Sequence, residues 1–111
     1  MSGYSEGVRV EHAVIHDLTK NGYECTRAAS SKGVADVIGI KPGQIVLVNV
    51  KRTKPPRPSE RSNLVRVAGY VNAVPLVATR PLGCKLRYRL LTGAGPRDWT
   101  SWTPDEIGDV T

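Results

Sequence analysis

Four polar residues interrupt or end apolar segments of this 111-residue sequence and are its candidates for chemistry: Glu11, Asp36, Asn49 and Lys51. A charged side chain among apolar neighbours costs several kcal/mol of folding free energy unless a cation, an opposite charge or hydrogen bonds compensate it. Such a position therefore indicates either a partner within the chain or a ligand. Which of the two applies depends on the helices and strands that carry these residues.

Glu11 lies in the first predicted helix, residues 6–21, where it falls within an apolar stripe of helical spacing. The other members of that stripe are Val8, Ile15 and Leu18. The alternative is a carboxylate at the edge of the stripe, paired with an arginine. The helix is expected to end at Asn21 and Gly22, because both residue types adopt the left-handed conformation that follows a helix.

Asp36 opens the first of two apolar strands, which are predicted at residues 35–40 and 45–50 across a Lys-Pro-Gly-Gln turn. Strands disfavour Asp, so this residue is either a cap at the strand entry or a functional group. Asn49 and Lys51 end the second strand two positions apart, which places their side chains on one face of the sheet. Lys51 is either a partly buried ammonium or a strand-end lysine whose head group reaches water.

The remaining segments complete one α/β domain with a mixed central sheet. Both strands of the hairpin are apolar on both faces, which predicts a sheet covered on both sides. Further strands are expected at residues 23–28, 75–79 and 85–91, and the last of these alternates basic and apolar side chains.

A second helix is predicted at residues 60–72, with Ser59 as its N-cap. Its apolar stripe consists of Leu64, Val67, Ala68 and Val71. The order of elements is α-β-β-β-α-β-β. Residues 1–97 are interpreted as one domain, and residues 98–111 as a loose, acidic, tryptophan-containing tail with one turn of helix starting at Pro104.

The charge of the chain is concentrated in its middle. The net charge is +6, but the segment from Lys41 to Arg97 contains 12 Lys and Arg residues and a single acid, Glu60. This predicts a polyanionic partner, with nucleic acid as the first candidate. The alternative is a basic surface that only keeps the protein in solution.

The chain shows no membrane or secretion signal. No apolar run approaches the roughly 20 residues of a membrane span, and the N-terminus lacks the pattern of a signal peptide. A cytoplasmic location is therefore expected, in the host cytoplasm if a phage encodes the chain. In that compartment Cys25 and Cys84 are expected to be buried thiols rather than a disulfide.

One continuous segment, Val10 to Thr53, combines the candidates in a recognisable order. It reads VEHAVIHDLTKNGYECTRAASSKGVADVIGIKPGQIVLVNVKRT. Its features are, in order, Glu11, Gly22-Tyr23, Arg27, Ser31-Lys32-Gly33, Asp36 and Asn49-Val50-Lys51. This order resembles the PD-(D/E)xK nucleases, and among them the archaeal-type Holliday junction resolvases and their phage relatives. Ala35 stands where the motif has Pro, and Asn49 where it has Asp or Glu.

The resemblance implies a restriction-endonuclease-like αβββαβ core and a Mg²⁺ site that Mn²⁺ can also occupy. The metal ligands that it implies are Glu11, Asp36, Asn49 and the backbone oxygen of Val50. Lys51 and Ser31 join the first three as catalytic residues. The implied DNA contacts are Arg27, Lys32, Arg52, Lys54, Arg57 and Arg61, although Arg27 could pair with Glu11 instead. Because Asn49 keeps an oxygen ligand but removes a charge, weaker metal binding is expected rather than an inactive site.

The function implied by the resemblance is a metal-dependent endonuclease that resolves four-way DNA junctions. Two symmetric cuts require two active sites, so a homodimer is expected. One alternative is a nickase or repair nuclease acting on other branched or damaged DNA. The other is a DNA-binding module of the same fold that is inactive because of Asn49. His12 and His16 have the i, i+4 spacing of a zinc pair but no third ligand, so they are expected to form a helix edge facing solvent or DNA.

Overall fold

The structure is a computed structural model that describes residues 6–28, 34–52, 54–81 and 83–104. Within these ranges the chain forms two helices and six strands. They are α1 (Glu6–Lys20), β1 (Glu24–Arg27), β2 (Val37–Lys41), β3 (Gln44–Lys51), α2 (Pro58–Tyr70), β4 (Val74–Thr79), β5 (Arg87–Leu91) and β6 (Trp99–Trp102). None of the described helices is long and apolar enough to cross a membrane.

The strands form one sheet in the order in which they occur in the sequence. β2 and β3 are the predicted antiparallel hairpin, in which Lys41 lies opposite Gln44. Gly43 adopts a φ of +79° in the turn, a conformation that glycine reaches without strain. β3 and β4 are parallel and joined through α2, whereas the other neighbouring pairs are antiparallel. The predicted α/β fold with a mixed sheet flanked by helices is confirmed.

α1 covers one face of the sheet, but with a different line of residues from the predicted stripe. Its buried residues are Val10, Val14 and Leu18, which pack in one cluster with side chains of β2 and β3. The predicted stripe through Glu11 and Ile15 is therefore wrong in its centre, and these two residues flank the buried line. The helix carries apolar residues on both sides of Glu11, and packing against the sheet selects the side of Val10 and Val14.

α2 covers the opposite face, where Leu64 and Ala68 are buried with Leu47 of β3 and Val77 of β4. The sheet is thus covered on both sides in its centre, as predicted. The helix ends at Tyr70, so the predicted end at residue 72 is wrong.

The start of α2 also differs from the prediction. The helix begins at Pro58 with Arg57 as its N-cap, because proline suits the first helical position. The backbone N–H of Arg57 donates to Oε1 of Glu60 at 2.7 Å, as in a capping box. The prediction of Ser59 as the cap is therefore wrong. Val71, which was expected in the apolar stripe, is exposed beyond the end of the helix.

The last strands of the sheet are only partly predictable. β5 alternates as expected, with Arg87 and Arg89 exposed and Tyr88 buried. The segment from Trp99 to Trp102 forms β6 beside β5, where the sequence predicted a loose tail. Trp102 is buried and meets the ring of Tyr88 edge-on, with centroids 5.3 Å apart, which explains why these residues are ordered against the core.

Two smaller predictions concern cysteines and the end of the chain. Cys25 is half-buried and Cys84 is exposed, and both are free thiols. The expectation that both are buried is therefore wrong for Cys84. The helical turn predicted from Pro104 onward lies outside the described residues, apart from Pro104 itself.

Candidate active site

Asp36 is fixed at the entry to β2 by hydrogen bonds to β3. Its backbone N–H donates to the carbonyl of Val48 at 2.8 Å. Its carboxylate Oδ2 accepts from the backbone N–H of Val50 at 2.7 Å. Asp36 is thus the strand-entry cap that the sequence allowed, and its carboxylate lies beside the end of β3 that carries Asn49 and Lys51.

Charges from both helices and from β3 act on Asp36. Burial raises the pKa of this carboxyl above its ordinary value, and the hydrogen bond from Val50 opposes that rise. The negative charges of Glu11 and Glu60 raise the pKa further, whereas the ammonium of Lys51 lowers it. These four ionisable side chains therefore belong to one electrostatic site at this end of the sheet.

Glu11 reaches the site from α1 and is paired with Arg27 at the end of β1. Oε1 of Glu11 accepts a hydrogen bond from Nε of Arg27 at 2.6 Å. The side chain of Glu11 is 18% exposed. Of the two interpretations that the sequence left open, the structure shows a carboxylate at the edge of the stripe with an arginine partner. A contact of Arg27 with DNA stays a prediction.

Asn49 is a buried polar residue in the middle of the site. It is 9% exposed, and its Oδ1 has no hydrogen-bond partner among the described residues. Asn49 precedes Val50 in β3, whose backbone N–H binds the carboxylate of Asp36. A buried carbonyl oxygen without a partner costs about 1–3 kcal/mol. Such an atom requires an explanation in a native protein, and a ligand is one.

Lys51 shares its face of β3 with Asn49 and is paired with Glu60 of α2. Its Nζ lies 2.9 Å from Oε2 of Glu60, and the two side chains are 25% and 31% exposed. Burial alone would raise the pKa of Glu60, but the hydrogen bond from the backbone of Arg57 and the ammonium of Lys51 lower it below its usual range. Glu60 is therefore an anionic member of the site.

Glu60 was not among the predicted site residues, although the sequence contains a signal for it. It is the single acid among the 12 basic residues between Lys41 and Arg97. Its position in the first turn of a helix after β3 places it over the end of that strand. The spacing from Lys51 alone does not reveal the contact, because the intervening loop is irregular.

The other predicted catalytic and metal-binding residues have mixed positions. Ser31 and Lys32 lie outside the described residues. The N–H of Val50 binds Asp36, and its backbone oxygen stays a predicted ligand. His12 and His16 are exposed on α1, as expected for an edge facing solvent or DNA.

The oxygen donors of the site are of the type that a hard cation prefers. Among the described residues, no three side chains of His, Cys, Asp and Glu are close enough together to hold a metal ion. Glu11 and Glu60 are each paired with a basic side chain, Arg27 and Lys51 respectively. The carboxylates and the unpartnered Oδ1 of Asn49 are nevertheless all oxygen ligands, and Mg²⁺ sites need only one or two carboxylates. The donor set therefore fits Mg²⁺ in its chemistry.

The predicted DNA contacts also differ in their surroundings. Three of them are exposed around the start of α2: Arg52, Lys54 and Arg57. Arg61 instead donates to the carbonyls of Pro56 at 2.9 Å and Ala94 at 3.0 Å. It thus ties the loop before α2 to the turn between β5 and β6, so part of its role is structural.

Two exposed basic side chains outside the predicted DNA contacts, Arg87 and Arg89, lie on the same face as Asn49. The pairing of β3 with β4, and of β4 with β5, places Asn49, Val77 and Arg89 in one row across the sheet. The guanidinium of Arg89 lies over the ring of Trp99 of β6, 4.2 Å from its centroid. A parallel row contains Lys51, Thr79 and Arg87. A basic and aromatic surface therefore continues from the site across β5 and β6.

Comparisons with known proteins agree with this architecture. A family model described as archaeal Holliday junction resolvase (Hjc) matches residues 2–89. Among solved structures, that of Hjc from Archaeoglobus fulgidus, a Holliday junction resolvase from an archaeal hyperthermophile, is similar in fold. The TM-score is 0.66 at 24% sequence identity, over 76% of this chain and 71% of that one. A search of curated proteins finds no match. The family match ends within β5 and leaves β6 outside it.

Proposed function

This chain belongs to the archaeal Holliday junction resolvase family, and we propose that it is a divalent-metal-dependent endonuclease that cuts four-way DNA junctions. The observation that carries the proposal is the buried, unpartnered Oδ1 of Asn49 on the face that also holds Lys51. A protein that only binds DNA gains nothing from an unsatisfied oxygen in a central strand. A cation-binding site explains it.

The residues that would hold the metal are Glu11, Asp36, Asn49 and the backbone oxygen of Val50. Held by these residues, a divalent ion would supply Lewis-acid chemistry to the scissile phosphate and to an attacking water. Water and substrate oxygens commonly complete a Mg²⁺ site that has few carboxylates. We therefore expect Asn49 to weaken metal binding without abolishing it, and Mn²⁺ to substitute for Mg²⁺.

Lys51 is the residue of this chain placed to stabilise charge on the phosphate. Its side chain is about three-quarters buried, and electrostatic interactions are stronger in such surroundings than in water. It has three N–H donors, so it can keep its bond to Glu60 and also donate to a phosphate oxygen. Arg27 holds the carboxylate of Glu11 at the edge of the site.

The surface across β5 and β6 supports DNA binding next to the site. Neighbouring strands lie about 4.8 Å apart, so Lys51 and Arg87 are separated by roughly 10 Å across two strand spacings. Basic side chains of this kind contact DNA phosphates and fix the position of a protein on the duplex. Arg89 and Trp99 add a cation and an exposed ring, a combination suited to unpaired bases near a branch point.

A homodimer is part of the proposal, because two symmetric cuts in a junction require two related sites. Sedimentation of the free protein tests this part independently of cleavage, and a monomer that cuts only one strand would contradict it.

The test of the function compares a labelled synthetic four-way junction with a linear duplex of the same sequence. Each is incubated with Mg²⁺, Mn²⁺, Ca²⁺ or EDTA, using the native chain, Asp36→Asn and the exposed control Glu24→Gln. Paired symmetric nicks in the junction, lost in Asp36→Asn and kept in Glu24→Gln, support the proposal. Equal cutting of both DNAs favours the nickase or repair nuclease. Binding without cutting in any metal favours the inactive DNA-binding module, for which Asn49 is the motivating observation.

A further inference from the structure

We propose that Glu60 is a positioning residue of the nuclease, which holds the ammonium of Lys51 at the end of β3 that carries the site. This inference rests on the proposed function. It gives a role in the reaction to a residue of α2 that lies outside the motif shared with the PD-(D/E)xK nucleases.

Lys51 is a residue that needs a partner to keep its place. It is the last residue of β3, and its charge lies at the end of a flexible stem of four carbons. Ordering such a side chain costs up to about 2 kcal/mol of rotamer freedom, and a strand-end lysine without a partner extends its head group into water. The side chain of Lys51 is instead only 25% exposed, and its Nζ lies 2.9 Å from Oε2 of Glu60.

Glu60 is itself fixed, so it is suited to be an anchor. Its Oε1 accepts the backbone N–H of Arg57 at 2.7 Å at the start of α2, while its Oε2 accepts from Lys51. The carboxylate therefore links the first turn of the helix to the ammonium. Because α2 packs on the sheet through the buried Leu64 and Ala68, this link fixes Lys51 relative to the core.

The anchored ammonium lies next to the groups assigned to the reaction. Lys51 shares its face of β3 with Asn49, whose buried Oδ1 has no partner among the described residues. Val50, between them, donates its backbone N–H to the carboxylate of Asp36 at 2.7 Å. A displacement of about 1 Å can cost roughly 100-fold in the rate of an enzyme. An ammonium that moved freely in water would lose this advantage.

The charge of Glu60 opposes DNA binding, which favours a role in the reaction instead. Arg52, Lys54 and Arg57 are exposed around the start of α2, and an acid beside them weakens their attraction for phosphates. The helix does not require an acid here, because glutamine also closes a capping box. The bond to Lys51 is the contact of Glu60 that does require a negative charge.

Substitution by glutamine separates the positioning of Lys51 from the capping of α2. Glu60→Gln keeps an acceptor for the N–H of Arg57 but loses the anion that holds Lys51, whereas Glu60→Ala loses both. Glu24→Gln is the matched control, because Glu24 is an exposed acid at the start of β1. The readouts are the single-turnover rate of junction cleavage in Mg²⁺ at saturating protein and the Kd of the junction in EDTA. Urea unfolding measures the stability of each variant.

Glu60→Gln is expected to cut junctions roughly 10- to 100-fold more slowly without binding them more weakly. Glu60→Ala should cut as slowly as Glu60→Gln, although it is also less stable, and Glu24→Gln should match the native chain. A native rate in Glu60→Gln overturns the inference and leaves the proposed function standing. A junction affinity that falls as much as the rate also overturns it, because Glu60 would then act in DNA binding. A native chain that cuts no DNA overturns both.

A second measurement tests the anchor without cleavage. A hydrogen bond slows the exchange of ammonium protons with water, so the ¹H–¹⁵N signal of the Lys51 ammonium should be visible in the native chain and in Glu24→Gln. Its absence in Lys51→Met identifies it. The signal should be lost in Glu60→Gln. An unchanged signal in that variant means that other groups hold Lys51, and it overturns the inference whatever the cleavage rate.

Discussion

Replacing Asn49 with valine should stabilise the folded chain and disable its site at the same time. An unsatisfied buried carbonyl oxygen costs about 1–3 kcal/mol of the free energy of unfolding, and Oδ1 of Asn49 is such an atom. Valine removes that oxygen and is favoured in strands. It would also face the apolar Val77, which is paired with Asn49 in β4. Each kcal/mol raises Tm by about 4–8 °C in a small domain, so we expect a rise of about 5–20 °C.

The assay is thermal and urea unfolding in EDTA, followed by circular dichroism. Asn49→Ala also removes the oxygen but leaves a smaller side chain, so its gain should be less than that of valine. Ser101→Val is the matched control, because Ser101 lies in the same row of the sheet but is exposed. It can gain only strand propensity. Mn²⁺ at about 100 times its Kd should stabilise the native chain by about 2.7 kcal/mol, and the valine variant much less.

Two results would refute this reasoning. If the valine and alanine variants are both less stable than the native chain in EDTA, then Oδ1 is already satisfied, for instance by a buried water. If Mn²⁺ stabilises the valine variant as much as the native chain, then Asn49 is not a ligand. Loss of junction cleavage together with a raised Tm would instead show that the sequence gives up stability at this position for function.

Three further predictions follow from the same contacts. Burial raises the pKa of Asp36, so the folded chain holds this proton more tightly than the unfolded chain. The free energy of unfolding should therefore fall as pH rises above about 4 and through the raised pKa. Asp36→Asn should remove that fall in urea unfolding measured at several pH values. If Arg89 neutralises one phosphate, Arg89→Ala should make the slope of log binding constant against log salt concentration shallower by about 0.9 for junction binding. The variant should also reduce the quenching of Trp99 fluorescence by DNA. An unchanged slope would exclude a phosphate contact of Arg89. Tyr88→Phe removes the hydrogen bond from the hydroxyl to Asp17, which is 2.8 Å long, and should cost about 1–3 kcal/mol in urea unfolding with cleavage unchanged; no loss of stability would mean that water replaces the bond.

The parts of the fold that depend on local patterns are predictable from the sequence. The hairpin follows from a Pro-Gly turn between two apolar runs, and the faces of β5 follow from strict alternation around Tyr88. The position of Asp36 at a strand entry is predictable because Asp is disfavoured within strands. The side-by-side placement of Asn49 and Lys51 is a consequence of strand geometry alone.

The parts that depend on packing between distant segments are not predictable in the same way. β6 has only four residues, and its ordering comes from Trp102 packing on Tyr88, a contact made through the tertiary structure. The buried line of α1 runs through Val10 rather than Glu11 because the sheet selects one of two apolar sides. No local pattern encodes that choice.

The contact between Glu60 and Lys51 depends partly on a local pattern, the capping of α2, and partly on packing between distant segments. Capping of α2 explains an acceptor at residue 60, but glutamine would serve there as well. The ion pair explains a negative charge, but exposed pairs of this kind contribute only about 0–1 kcal/mol, and Glu60 is about one-third exposed. Neither contribution to stability explains why Glu60, the single acid between Lys41 and Arg97, is an acid. The negative charge of Glu60 instead acts on the electrostatics of the site, where it raises the pKa of Asp36.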